Sequence, residues 1–380
     1  MPARFKPAFC GLLFSFSVLF CSAPPAGSQP LNPGMAKAYQ RPKPQPTPTP
    51  SRVQALGEPP PVPRLKPKKS VQEVSPGDII LVNTSEIMLP VTVRDSNGRL
   101  VNDLKREDFR VFEDSQEQPL NDLALRKAPV DVILMVDASS SVTANLDDFR
   151  RAAEKFASQL EPGDRVSLIK FDDHVELLQD WTKSQFQLHR ALNRIEPGMF
   201  TRFNDALLLA ARDQFGSTQS RRAAIVLSDG IDSGRGVSFE NVLRALLEAQ
   251  VTVYVVSNTE ISRASKLAEL GDLTRGSDSA VRFNQIRIDD LREGLRVIDK
   301  SEERLAELVA TTGGRLYKPL SFSNLESTYA EVAAELRSQY VLYYNPLNKA
   351  RDGTYRRVRV ETTKPSFGTH TRQGYYAPLK

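Results

Sequence analysis

Four short apolar-rich runs, Val130 to Val136, Val166 to Phe171, Ala223 to Leu227 and Val251 to Val256, constrain this chain more than any other feature. Continuous apolar runs of that length suit strands buried on both faces, the environment of a parallel sheet. Helical spacing fills the intervals. Phe149, Ala152, Ala153, Phe156 and Leu160 share one face of a predicted helix, and Leu207 to Phe215, Val242 to Ala249 and Leu325 to Leu336 read the same way. Arg315 to Tyr317 supplies a further strand. Strands alternating with helices predict a doubly wound, mostly parallel α/β sheet covered on both sides. Ligands of such sheets bind in the crevice outside the carboxyl ends of the strands.

Asp137 follows the first run at that edge, inside Asp137-Ala138-Ser139-Ser140-Ser141, and Asp229 follows the third. Thr201 lies between them, in Phe200-Thr201-Arg202-Phe203-Asn204-Asp205. Alone, Asp-x-Ser-x-Ser is equally a turn or helix-capping sequence. Joined by Thr201 and Asp229, it offers two carboxylates and three hydroxyls, a hard oxygen set suited to Mg2+, or to Mn2+ or Ca2+. Mostly neutral ligands would leave the ion able to accept one more carboxylate from outside. Asp205 could support Thr201 by a hydrogen bond or simply start a helix.

These five residues resemble the metal-ion-dependent adhesion site (MIDAS) of the von Willebrand factor type A family. Asp137, Ser139, Ser141, Thr201 and Asp229 match its motif one by one, and Asn204-Asp205-Ala206-Leu207 is similar to the usual continuation. Pro197-Gly198-Met199-Phe200 stands where the family usually places glycines just before its threonine. The resemblance implies a non-catalytic binding protein, whose protein partner places an Asp or Glu on the ion. Leu104 to Asp114 and Arg372 to Pro378 also resemble flanking phrases of VWFA-related acidobacterial proteins, so the likeness runs from about residue 80 onward.

The chain begins with Arg4, Lys6 and an apolar stretch from Ala8 to about Phe20, then small residues up to Ser28. Residues 1–28 read as a signal peptide, and the apolar run falls short of the ~20 residues that span a bilayer. An exported protein, periplasmic or at the cell surface, is expected, with no transmembrane span in the mature chain. Both cysteines, Cys10 and Cys21, lie in the leader, so the exported part can form no disulfide. Cys21 is a poor lipidation site because bulky Phe20 precedes it. Residues 29–74, including Pro42 to Pro50, read as a Pro-rich linker.

The net charge of +5 suggests nucleic acid until it is located. The first 70 residues hold ten basic side chains against one acid, which leaves the remainder net acidic. A basic groove is not supported, and no nucleic-acid partner is expected.

Short alternating strands frame the α/β unit. Ile79 to Val82, Ile87 to Val93, Phe109 to Phe112 and Leu120 to Leu125 lie in the segment 75–128, and Tyr340 to Tyr344, Tyr355 to Thr362 and Arg372 to Tyr376 lie in 338–380. Neither segment has strands enough to bury two faces alone. They are expected to form one small all-β sandwich, with the α/β domain, 129–337, inserted between them. Ser257 to Glu303 is long and polar; Ile286 to Ser301 reads as a solvated helix, or alternatively as an insertion shaping a partner surface.

Catalysis is poorly served. Ser139 removes the second carboxylate of an Asp-x-Asp phosphatase site, there is no Gly-x-Ser-x-Gly, and the three histidines are His174, His189 and His370. His174 reads as an exposed turn residue. The remaining rival is a structural module whose metal site only stabilises it or is vestigial.

Overall fold

In a computed structural model of the chain, the described residues are 86–379 except 126–128, 140–144, 217, 219, 235 and 276. The leader, the linker, both cysteines, Ile79 to Val82 and Ser141 lie outside them.

The first strands are β1 (Ile87–Arg94), β2 (Phe109–Glu113), β3 (Gln116–Gln118) and β4 (Leu120–Leu125). The α/β unit follows as β5 (Val130–Asp137), α1 (Leu146–Ala157), β6 (Arg165–Phe171), β7 (Val175–Thr182), α2 (Gln185–Leu192) and α3 (Phe203–Leu209), which runs on into a π-helical turn, Ala210–Gln214. It continues with β8 (Arg221–Leu227), α4 (Phe239–Glu248), β9 (Val251–Val256), α5 (Thr259–Thr274), α6 (Asp278–Phe283), α7 (Gln285–Thr312), β10 (Leu316–Tyr317) and α8 (Leu325–Ser338). β11 (Tyr340–Tyr344), β12 (Tyr355–Thr362), β13 (Gly368–His370) and β14 (Gly374–Tyr376) close the chain.

The central six-stranded sheet has the order β10-β9-β8-β5-β6-β7. All its pairings are parallel except β6 with β7. Successive residues of β5 face opposite sides, and both sides are buried. Val132, Leu134 and Val136 join Phe149, Phe156 and Tyr329 under α1 and α8. Ile133 and Met135 join Phe203, Leu246 and Leu308 under α3, α4 and α7. Asp131, fully buried at the start of the β5–β6 pairing, is tolerated because Arg165 grips both its oxygens at 2.8 and 2.7 Å.

Two antiparallel four-stranded sheets, β13-β1-β11-β4 and β14-β12-β2-β3, face each other. Each combines strands from before and after the α/β unit. Leu89 is registered with Leu342, and Val111 with Val360. Alternate residues of β1, Ile87, Leu89, Val91 and Val93, enter a core shared with Val111, Tyr344 and Val360, as the period of two in a strand requires. The β2–β3 turn, Asp114-Ser115, takes φ of 47° and 70°, the mirror-image turn that matches strand twist.

Several elements depart from expectation. β7 was not foreseen, because its edge position leaves the mixed sequence Val175 to Thr182 without a clean period. The final strand is shorter than Arg372 to Tyr376: Arg372 turns inward, buried, and its guanidinium donates to the Met88 carbonyl at 2.9 Å. The region expected to hold one solvated helix holds α5, α6 and the 28-residue α7. Among the described residues, no helix is long and apolar enough to cross a membrane.

Candidate metal centre

Asp137 is the last residue of β5, and burial there is complete. Its carboxylate is held from two sides. Oδ1 accepts from the Ser139 backbone N–H at 3.0 Å, and Oδ2 accepts from Ser228 Oγ at 2.7 Å. Ser228, fully buried, follows β8, the strand next to β5, and its Oγ also accepts from Gly230 N at 3.0 Å.

Asp229 comes next in the chain, 8% exposed, and Oδ1 accepts from Ile231 N at 3.1 Å. Burial pushes its carboxyl up to about 6, and the neighbouring Asp137 charge adds to the push. Asp137 is also raised, by burial first, against the opposing bonds from Ser139 and Ser228. Burial thus disfavours both charges, with that of Asp137 weighing further on Asp229 and that of Asp172 on Asp137. Lys266 acts on Asp229 in the opposite sense.

Thr201 is 7% exposed and reaches this edge through the α2–α3 connection. That loop is bonded to both carboxylate-bearing segments: Gly198 N donates to Ala138 O at 2.9 Å, and Ser233 N donates to Thr201 O at 2.8 Å. Ser139, 6% exposed, lies beside Asp137. The structure thus gathers Asp137, Ser139 and Asp229 at adjacent strand ends and ties Thr201 to both neighbours. Ser141 falls outside the described residues.

Asp205 occupies the first turn of α3, and Arg202 Nε lies 3.0 Å from its Oδ2 without hydrogen-bond alignment. Among the described residues it makes no hydrogen bond to Thr201, so the helix-start role fits it. Asn204, by contrast, donates from Nδ2 to Asp232 at 3.0 Å and to Val237 O at 3.1 Å, locking α3 to the loop after Asp229.

Two supporting residues escape sequence reasoning. Ser228 orients Asp137, and the only hint was its place at a strand end beside Asp229. Ser301 of α7 donates to the Asp229 carbonyl from the far side, a contact no local pattern announces. Gly230 makes that approach possible: it adopts φ +72°, and a Cβ there would lie 2.6 Å from Leu305 and 2.8 Å from Ser301.

No group of three or more His, Cys, Asp or Glu side chains suited to a metal occurs among the described residues. The donor set is two carboxylates completed by hydroxyls, which fits a hard, oxygen-binding cation and not a zinc site of nitrogen and sulfur. The chain matches the von Willebrand factor type A domain family over residues 131–294. That stretch is a von Willebrand factor type A domain. The match begins in β5 and ends within α7, taking in the strand ends that carry Asp137 and Asp229.

Similarities to individual proteins are distant. A UPF0353 protein of Mycobacterium avium is 22% identical over 224 residues, 57% of this chain and 64% of its own length. Proximal thread matrix protein 1 from the mussel byssus, in a form with a zinc-occupied MIDAS motif, is 14% identical, covering 59% of this chain and 49% of that one, with a TM-score of 0.42. A von Willebrand factor type A protein from Catenulispora acidiphila is 12% identical, covering 78% and 64%, with a TM-score of 0.41. This chain therefore spans less than two thirds of the length of each of these relatives.

Proposed function

We propose that this chain is an exported, non-enzymatic binding protein that engages an Asp or Glu of a protein partner through Mg2+ held by Asp137, Ser139, Ser141, Thr201 and Asp229. The observation that carries the reading is the buried pair Asp137 and Asp229, held at adjacent strand ends by neutral donors and both destabilised in their charged forms by burial and neighbouring acids. A dication removes that conflict. When bound, it supplies Lewis acidity toward an incoming carboxylate, while Ser228, Ser301 and Gly230 keep the two acidic segments in place.

The absence of enzyme chemistry is supported by where the histidines lie. His174 is exposed, His189 faces Glu154 at 2.6 Å between helices, and His370 contacts the Gly314 carbonyl. None of these contacts is with Asp137 or Asp229, so neither carboxylate has an imidazole partner for acid–base work. Titration calorimetry with Mg2+ tests the reading. The wild-type chain should bind one ion and Asp137→Ala none, with the circular dichroism spectrum retained; equal affinity in both would overturn the assignment.

A further inference from the structure

The sheet order fixes what stands on either side of the metal edge. Asp229 follows β8 and Asp137 ends β5; beyond them, β9 leads into α5, and β6 leads into Asp172 and Asp173.

On the β9 side, α7 runs antiparallel to the strands. Ser301 bonds the Asp229 carbonyl at the carboxyl edge, whereas Thr312 Oγ1 accepts from Val253 N, deeper in the sheet. The part of α7 before Ser301, starting at Gln285, therefore continues past the edge for about 24 Å at 1.5 Å per residue. α5 packs along it, with Arg263 bonded to Asp299 at 2.6 Å and Arg287 to Glu269 at 2.6 Å. The two helices make an arm that rises beside the metal site.

On the β6 side, the loop before Thr201 is clamped. Met199 N and Phe200 N donate to the two carboxylate oxygens of Asp173 at 3.1 and 3.2 Å. Gly198 packs so closely that a Cβ would lie 2.5 Å from the Asp172 side chain. Yet Met199 is 78% exposed and Phe200 62% exposed. A fixed backbone holding two large apolar side chains in water is the arrangement of a preformed contact surface.

We infer that the partner carries its carboxylate on a projecting loop, with an apolar side chain beside the Asp or Glu that packs on Met199 and Phe200. The arm rising beside the edge leaves room for a strand or a tight loop, which are about 5 to 10 Å thick, but keeps a flat protein face away from it. This inference rests on the metal-bridged reading above and adds the shape and side-chain class of the ligand.

The test is selection from displayed, disulfide-closed heptapeptide loops with a fixed central Asp, on the full chain in Mg2+, beside the same library with a central Asn. Enriched Asp loops should carry an apolar residue next to the Asp, lose binding in chelator, and bind the Met199→Ser, Phe200→Ser double variant at least tenfold more weakly. Magnesium affinity and melting temperature of that variant serve as controls. Loops that need metal but bind the double variant equally overturn the inference while leaving the metal-bridged reading intact. Asp loops enriched no better than Asn loops, or loops indifferent to chelator and to Asp137→Ala, would instead sink the metal-bridged reading itself.

Discussion

Ser228 Oγ donates 2.7 Å to Asp137 Oδ2 across two neighbouring strand ends, so the orientation of one acid depends on the residue just before the other. Ser228→Ala should leave Asp137 short of a buried donor. The expected cost is about 1–3 kcal/mol of stability, with magnesium affinity falling roughly 10- to 100-fold. Urea unfolding and calorimetry on the same samples measure both, and unchanged magnesium affinity would separate Ser228 from the site.

Metal-free protein should lose stability as pH rises from about 4 to about 6. Asp229 is raised from its ordinary value to about 6 in the folded chain, so in that window the unfolded chain releases a proton that the folded chain keeps. The stabilisation is complete below the ordinary carboxylate range and gone above about pH 6. A rise of that size corresponds to about 3 kcal/mol. Melting temperatures in chelator across this range should therefore fall for the wild type and stay flatter for Asp229→Asn. Saturating Mg2+ should restore stability above pH 6.

Gly230→Ala forces a side chain onto a backbone at φ +72° and against Leu305 and Ser301. A loss of about 1–3 kcal/mol is expected from the strained conformation alone. Because α7 must shift to admit the methyl group, magnesium binding should weaken as well. Ser301→Ala, which removes only the bond to the Asp229 carbonyl, should show the metal effect with a smaller loss in melting temperature.

Glu335, 1% exposed in α8, receives Arg94 at 2.5 Å from β1 and the Tyr317 hydroxyl at 3.1 Å from β10. Replacing it by Ala strands the Tyr317 hydroxyl and uncouples Arg94, with an expected cost of about 3 kcal/mol. Glu335→Gln should cost less, since the amide oxygen can still accept one of these bonds. Calorimetric scans of both variants check the order.

The central strands were legible because burial on both faces leaves no polar position to blur the pattern, and Asp131 is excused only by Arg165. Edge strand β7 was not legible, since one side of Val175 to Thr182 meets solvent irregularly. The arm read as a single solvated helix because most of its surface faces water; its few inward residues, Ile288, Leu291 and Ile298, meet α5 only in three dimensions. At the candidate site, the proposed ligands were picked out by residue type and position, and Asp137, Ser139, Thr201 and Asp229 lie near one sheet edge. Those that merely hold them, Ser228 and Ser301, carried no local signature, because their partners arrive from strands and helices distant in the chain.

β4 ends at Leu125 and β11 begins at Tyr340, and those two residues are direct register partners in one sheet. Everything between them leaves and re-enters its host through a doorway one strand spacing wide, roughly 5 Å. A host built this way can close the gap with an ordinary hairpin turn. Cargo of another kind could occupy the same berth without any strand of the sandwich changing its register.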